Sequence, residues 1–363
     1  MSTTVERAER LGEELTEVAE RGEAGRVNRA LVGALAERGL FDRVFSDDGV
    51  TAAELCVIRR GLARSCPAAE TAFAVQGLGA VPIQLFGSDE IRARWMPEIR
   101  SGRAVAAFAL TEPGAGSDAA AITTRAERDG EGWRITGEKM FVSHAPEADV
   151  ATVFARTSDQ GSKGVSAFVV PMEGIPGEHI PLLSQHPIGS WTFDGVFVGP
   201  YQLLGELDGG FRVAMATLDL FRPSVGAAAL GMAEAALRVA VEHARQREAF
   251  GSPIGHFQGV SHQLADVRTG IEAAALLVES AAQTYDSGER DALTGRSAMA
   301  KLFATEMAQR AVDTAIQVLG ARGLKAESSL AHLYNEVRAL RIYEGTSEIQ
   351  RNIIARELFR GRI

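Results

Sequence analysis

Residues 164–171 read GVSAFVVP. Three valines and a phenylalanine, fenced by a glycine and a proline, predict a buried strand, because β-branched and aromatic side chains suit a pleated surface. Trp133–Thr136 and Val150–Ala155 before it, and Val196–Val198 after it, carry the same signature, with Gly, Pro and Asp between them. A β region over residues 106–206 is therefore expected. Outward from it the period lengthens. Residues 1–105 are dominated by Ala, Leu, Glu and Arg, with apolar positions at helical spacing such as Leu11, Leu15, Val18 and Ala19. From 207 to 363 the chain is helical again, in longer pieces. Ala300, Phe303, Met307, Ala311, Ala315 and Val318 form one apolar stripe, and Met299, Leu302, Ala308, Val312, Ile316 and Leu319 a second. Two stripes predict a helix buried on more than one side, as in the middle of a bundle. Gly320 reads as its stop. The order helical, β, helical implies an α+β, mostly α, chain with domains at 1–105, 106–206 and 207–363.

Composition narrows the function classes. At 363 residues the chain exceeds one simple core, and 46% apolar residues rule out disorder. A net charge of -9, from 47 acidic and 38 basic residues, argues against nucleic acid or an anionic membrane surface as the main partner. Cys56 and Cys66 fit no common zinc spacing and make no disulfide framework, so no metal site is expected and both read as buried thiols in a reducing cytosol. No basic segment leads into an apolar run at the N-terminus, so the expected location is cytoplasmic. The most apolar window, Val225 to Leu237, is shorter than a membrane span and contains Glu234.

Chemistry collects in four places. Thr111–Asp118, TEPGAGSD, has two glycines that allow close backbone approach to a ligand and a serine donor; it also reads as a plain glycine-rich turn. Lys139–Ser143, KMFVS, sets a ring two residues before a hydroxyl, suited to a flat cofactor or to an ordinary half-buried strand. In Arg247–Gln258, REAFGSPIGHFQ, a helix is expected to end near Phe250-Gly251 and another to begin after Pro253. That corner offers Arg247 to a phosphate and Phe250 to an aromatic face, or is a simple helix–helix turn. Gln317 and Gly320–Gly323 mark a second helix end. In Arg341–Gln350, RIYEGTSEIQ, Ser347 and Gln350 fit a capping box, which puts Glu344 in the turn before the last helix. A carboxylate following Ile342 and Tyr343 is costly unless paired or used as an acid or base; the alternative is a solvated loop residue.

In this order and spacing the clusters resemble the acyl-CoA dehydrogenase family. TEPGAGSD matches its first signature, RIYEGTSEIQRNIIAREL its second, and REAFGSPIGHFQ its flavin-contact corner. The resemblance is strong from about Gly87 to the C-terminus. It implies a helical N-terminal domain, a small middle β-barrel or sandwich domain and a C-terminal four-helix bundle around FAD. The implied reaction is FAD-dependent α,β-dehydrogenation of an acyl-CoA thioester to the trans-2-enoyl thioester, with electrons passed to an electron-transfer flavoprotein. Glu344 matches the catalytic base, and Gly345 leaves room for the acyl chain. Some members carry the base on another helix; the matching residue here is Phe221, which cannot serve. Phe108, Leu110, Thr111, Gly116, Ser117 and Thr346 match flavin-lining positions, Phe141 a ring-packing tryptophan, and Ser143 a threonine near N5. Arg247, Phe250, Gln258, Gln317 and Gly320 match residues that hold the ADP half of FAD in a neighbouring subunit, which implies a homo-oligomer, tetramer or dimer. Ser117, Phe211, Met215, Asp219 and Arg222 match the CoA channel, and Glu70, Thr71, Ala74 and Tyr343 the acyl pocket.

Three departures leave the substrate open. The N-terminal region lacks the usual P-x-x-x-G-G turn. The loop His186–Phe193 at the substrate mouth is several residues short. Ala321 replaces a glycine, and Asn335-Glu336 replaces the common Arg-Asp pair. An acyl-carrier-protein thioester and an oxygen-using oxidase remain alternatives. A non-enzymatic FAD scaffold is disfavoured by the retained Glu344-Gly345-Thr346. Should Glu344 not be the base, Glu348 is the next carboxylate to consider.

Overall fold

The computed structural model describes residues 4–45 and 50–363. Six helices come first: α1 Val5–Glu20, α2 Arg29–Glu37, α3 Leu40–Val44, α4 Ala52–Ser65, α5 Pro67–Phe86 and α6 Asp89–Arg100. Eight strands follow: β1 Ala106–Ala109, β2 Arg125–Asp129, β3 Gly132–Ser143, β4 Val150–Arg156, β5 Val165–Pro171, β6 Gly177–His179, β7 Ile188–Val198 and β8 Leu203–Leu204. Then come α7 Gly210–Gln246, the hairpin β9 Glu248–Ala249 and β10 Ser252–Pro253, α8 Gln258–Asp286, α9 Leu293–Leu319, α10 Ser329–Leu340 and α11 Ser347–Phe359. The chain is mostly helical with a sheet in the middle, as its periodicities predict. It forms two compact units. One comprises Met1–Thr16, Thr51–Glu70 and Asp219–Ile363, the other Glu17–Val50 and Thr71–Leu218.

In the second unit the strands run β6-β7-β3-β2-β4-β5-β8, and β1 pairs parallel to β4. The stretch GVSAFVVP supplies β5. It pairs antiparallel with β4 from Val150↔Pro171 to Arg156↔Val165, and both strands are buried along almost their whole length. Burial on both faces explains why they read as continuous apolar runs rather than alternating ones. Trp133, Ile135, Phe168, Trp191 and Phe193 fill the core beside them. On α5, a Cβ at Gly79 would lie 2.5 Å from the Ala107 nitrogen, so only glycine lets the helix rest on β1 this closely. The stretch expected to be a short loop at 186–193 is strand from Ile188 onward, with Trp191 opposite Lys139 on β3 and Gly177 on β6. Its apolar Ile188, Trp191 and Phe193 are buried, which draws it into the sheet.

In the first unit α9 packs against α8, α10 and α11. Its buried arc is centred on Ala304, Ala308, Ala311 and Ala315, whose small side chains allow close helix approach. Phe303, placed in the first stripe, lies at the edge of that arc and is exposed, a correction to the pattern reading. Gly320 does end the helix, with φ 59°. The helix α7 is longer than its apolar window suggests. By length and composition it passes as a membrane span, yet 72% of that window is buried inside the protein, as in a core helix. Within it Glu234 is paired with Arg60 and Arg64 of α4.

Candidate active site

The turn between α10 and α11 carries Glu344. The cap of α11 is Thr346, whose Oγ1 accepts from the Ile349 N–H, and not Ser347 as the capping pattern predicts. Ser347 donates its hydroxyl to Glu306 at 2.7 Å instead. Gln350 does not reach back to an N–H either; its Nε2 donates to the carbonyls of Glu344 at 3.2 Å and Gly345 at 2.9 Å. The reason lies in the backbone. Glu344 and Gly345 both have positive φ, 54° and 94°. This turns their carbonyls inward, where they need donors. Lys301 Nζ supplies one to Gly345 at 2.7 Å, and Arg222 Nε one to Glu344 at 3.3 Å. A glutamate in this region costs about 1–2 kcal/mol, which three converging donors offset.

The carboxylate sits among charges. Its Oε2 is buried without a hydrogen-bond partner. Burial raises the Glu344 pKa, while Arg59, Lys301 and Arg222 pull it back and Glu70 adds to the rise. Arg59 is bonded to Glu70 at 2.6 Å and to Ser224 at 2.8 Å, with Arg59 and Glu70 each 2% exposed. Arg222 is bonded to Asp219 at 3.1 Å, and Asp219 also accepts from Thr294 at 2.9 Å. Burial lowers Lys301 to about 8 and raises Tyr343 well above its usual value. Phe221, the position of the alternative base, is fully buried. Arg59 and Lys301 were not singled out by sequence reasoning, and Gln350 only as part of a capping box. The signal for Lys301 was present, as a lysine set between two apolar stripes.

The flavin candidates of the other unit come together around β3. Thr111 accepts a backbone bond from Met140, and Lys139 Nζ reaches the Leu110 carbonyl at 3.1 Å and Glu112 at 2.7 Å. Glu112 also accepts from the N–H and hydroxyl of Thr123 and the N–H of Thr124. This buried pair, another residue set missed from the sequence, ties the glycine-rich turn to the strand. Beyond it Gly116 and Ser117 are exposed, and a Cβ at Gly114 or Gly116 would meet nothing within 4 Å. Phe108 is half-buried, its ring 4.8 Å from that of Phe154. A register shift between Lys139 and Val142 breaks the alternation of β3. Lys139 points inward, and Phe141, with φ 55°, is turned out and 52% exposed. A bulge re-aims a side chain in this way. Ser143 Oγ lies 2.7 Å from Nε2 of His186, whose pKa burial lowers to about 4.

The third group lies on the first unit. The helix α7 stops at Gln246, earlier than expected, and the β9–β10 hairpin follows it. Phe250 and Gly251 form its tip with φ 52° and 80°, because a two-residue hairpin turn requires the left-handed region. The Phe250 ring is 98% exposed and packs edge-on at 6.2 Å against Phe257. Arg247, Gln258, Gln317 and Gly320 are exposed as well. Phe211 and Met215 of α7 are half-buried.

The sequence matches all three domain families of one enzyme group: Acyl-CoA dehydrogenase N-terminal domain over residues 5–103, middle domain over 107–194 and C-terminal domain over 208–359. The chain belongs to the acyl-CoA dehydrogenase family. It is 36% identical over 347 residues to cyclohexane-1-carbonyl-CoA dehydrogenase of Geobacter metallireducens, covering 93% of this chain and 90% of the relative. The butyryl-CoA dehydrogenase structure from Megasphaera elsdenii superposes with TM-score 0.91 at 30% identity, covering 99% of each chain. PigA with FAD and proline superposes with TM-score 0.92 at 26% identity, covering 98% of this chain and 96% of that one. This acyl-CoA dehydrogenase is thus an oxidoreductase with FAD as its cofactor. Its residues fit that group. In the second unit an exposed ring on strained backbone at Phe141 and open space beside Gly114 and Gly116 suit a flat ring system; in the first, the exposed Arg247 is a donor suited to a phosphate.

Proposed function

We propose that Glu344 removes the α-proton of an acyl-CoA thioester, giving the trans-2-enoyl thioester. The observation that carries this reading is a glutamate with positive φ and one buried, unpartnered carboxylate oxygen, on a turn whose backbone carbonyls are held by three donors. A base must leave a lone pair free for substrate, and strained backbone persists where side-chain aim matters. Burial raises the Glu344 pKa towards working pH, which strengthens it as a base. Bound FAD supplies the acceptor for the β-hydride. The Glu344 N–H donates to the thioester oxygen as charge develops there, and Gly345 keeps the approach open. Phe108, Leu110, Thr111, Gly116, Ser117, Phe141, Ser143 and Thr346 line the flavin. Arg247, Phe250, Gln258, Gln317 and Gly320 take the ADP half from a neighbouring subunit of a tetramer. Phe211, Met215 and Ser117 line the thioester channel, and Tyr343 the acyl pocket. Asp219 and Arg222 shape that channel while satisfying each other. Electrons leave to an electron-transfer flavoprotein in the cytoplasm, and the chain divides functionally at residues 105 and 206.

The test is anaerobic stopped-flow reduction of the bound flavin with a panel of acyl-CoA and acyl-carrier-protein thioesters. Glu344→Gln is expected to keep FAD and to slow reduction by the best substrate about 10²–10⁴-fold. The wild-type rate is expected to rise with pH as Glu344 loses its proton, and this limb to vanish in the variant. Reduction of Glu344→Gln at the wild-type rate refutes the assignment, and reduction by carrier-protein thioesters alone refutes the CoA substrate.

A further inference from the structure

We infer that Lys301 is a positioning residue of the reaction, which fixes the turn bearing Glu344 and acts as the counter-ion of its carboxylate. The inference rests on the reading of Glu344 as base. It begins with a misfit. The Lys301 side chain is fully buried on α9, where an apolar residue packs at lower cost. Its bond goes to a neutral acceptor, the Gly345 carbonyl at 2.7 Å. Among the described residues no carboxylate lies within ion-pair distance of it. A buried ammonium placed so must answer to a charge somewhat further away.

Charge balance identifies that charge. Arg59 of α4 faces Glu344 but is paired with Glu70 at 2.6 Å. Arg222 of α7 faces it too, but is paired with Asp219 at 3.1 Å. Tyr343 is kept neutral by burial. Further out, Glu306 of α9 is paired with Arg341 at 3.1 Å and Glu348 of α11 with Arg351 at 3.6 Å, while Glu357 is shared by Arg356 at 2.9 Å, Arg360 at 3.2 Å and Arg362 at 3.4 Å, three half-exposed arginines whose charge water screens. Among the buried groups, once the Arg59–Glu70 and Arg222–Asp219 pairs cancel, Lys301 and Glu344 remain. Each also appears in the other's surroundings as the opposing charge.

The backbone argument is independent. Two consecutive residues with positive φ expose two carbonyls, and three elements send donors to them: Arg222 from α7, Lys301 from α9 and Gln350 from α11. Gln350 is neutral and Arg222 is neutralised by Asp219. Lys301 alone of the three therefore joins grip and net charge in one group. A tie from a rigid helix to the residue after the base sets where the carboxylate points.

The test compares Lys301→Met and Lys301→Gln with wild type and Glu344→Gln, reading FAD content, melting temperature and the pH profile of flavin reduction at saturating substrate. Both Lys301 variants lose the charge; glutamine keeps a donor for the Gly345 carbonyl and is the usable variant should methionine not fold. The rising limb is expected to move up by about one to two pH units in either, the scale for removing a unit charge from a nearby carboxylate in protein. Above that limb, glutamine is expected to run faster than methionine, because the grip is partly kept. A purely structural lysine would lower FAD content or melting temperature and leave the limb in place; that result overturns the inference. An unmoved limb with Glu344→Gln still inactive removes Lys301 and leaves the base intact. Full activity of Glu344→Gln removes both.

Discussion

Lys139→Met tests whether the glycine-rich turn is held by its buried ion pair. Lys139 is fully buried and Glu112 is 4% exposed, 2.7 Å apart. Taking away one partner of such a pair costs about 3–5 kcal/mol, because the remaining charge stays buried. Here the loss is cushioned: Glu112 keeps the Thr123 N–H at 2.6 Å, the Thr123 hydroxyl at 2.9 Å and the Thr124 N–H at 3.1 Å. The Leu110 carbonyl, in contrast, loses its Lys139 donor. A destabilisation of about 2–3 kcal/mol follows, below the usual range for a broken buried pair because of those remaining donors.

The pH dependence gives a second handle. Burial raises the Glu112 carboxyl, but Lys139 and the threonine donors outweigh it and hold its pKa at about 2. A depressed carboxyl contributes stability that is present above its unfolded pKa and is lost as pH falls through the folded one. From the ordinary 4.5 to about 2, that contribution is on the order of 3 kcal/mol, consistent with the mutational figure. Lys139, lowered by burial to about 8, is still charged at pH 7, so the pair is intact there. Urea denaturation of the holoenzyme at fixed excess FAD measures both effects. In Lys139→Met the midpoint should fall at pH 7 and the loss of stability between about pH 5 and 2 should flatten. Glu112→Gln combined with Lys139→Met should recover much of the loss. A change below about 1 kcal/mol at pH 7, with the acid slope unaltered, would refute the reasoning. FAD affinity should fall alongside stability, since the pair anchors the segment that carries Thr111 and Ser117.

Two further outcomes are expected. Arg247→Ala should lower FAD occupancy and oligomer mass together in gel filtration with flavin detection; a stable, fully flavinated monomer contradicts the proposed neighbouring-subunit contact. Arg59→Met leaves Glu70 buried without its 2.6 Å partner and should destabilise the fold by about 3–5 kcal/mol in urea, with Arg59→Met/Glu70→Gln recovering most of it; a loss under about 1 kcal/mol counts against this pair as a buried brace.

Hydrophobic period made the architecture legible. β4 and β5 are buried on both faces and so carry unbroken apolar runs, while α9 is buried over a wide arc and so carries two stripes. Element ends were less legible. The α7 helix stops at Gln246 because Arg247–Pro253 can form a hairpin, and the Gly251-Ser252-Pro253 run suits a helix–helix turn as well as a hairpin turn. The cap of α11 went to Thr346 rather than Ser347 for a tertiary reason: Ser347 is taken by Glu306 on another helix. The same applies to Gln350, whose spacing fits a capping box but whose amide is claimed by two carbonyls of the preceding turn.

The charged interior was least legible of all, because its members are scattered along the chain. Glu344 stands out only by following Ile342 and Tyr343, Glu70, Asp219 and Arg222 only through the family resemblance, and Arg59 and Lys301 belong to no motif at all. Backbone strain is equally invisible to periodicity, yet it is the feature that best separates function from packing here. Among the described residues five non-glycine positions have positive φ, and three of them are Phe141, Phe250 and Glu344. The family resemblance implies a ring-packing residue, a cofactor contact and a base at these three positions. Each costs about 1–2 kcal/mol in a conformation that a glycine would adopt freely. Packing does not explain the choice for Phe141 and Phe250, whose rings are 52% and 98% exposed. Nor does it explain Glu344, whose Oε2 is buried and unpartnered. Replacement by glycine at any of the three should relax the backbone while costing activity or FAD, and that opposition between stability and function is the physical mark of an aimed side chain.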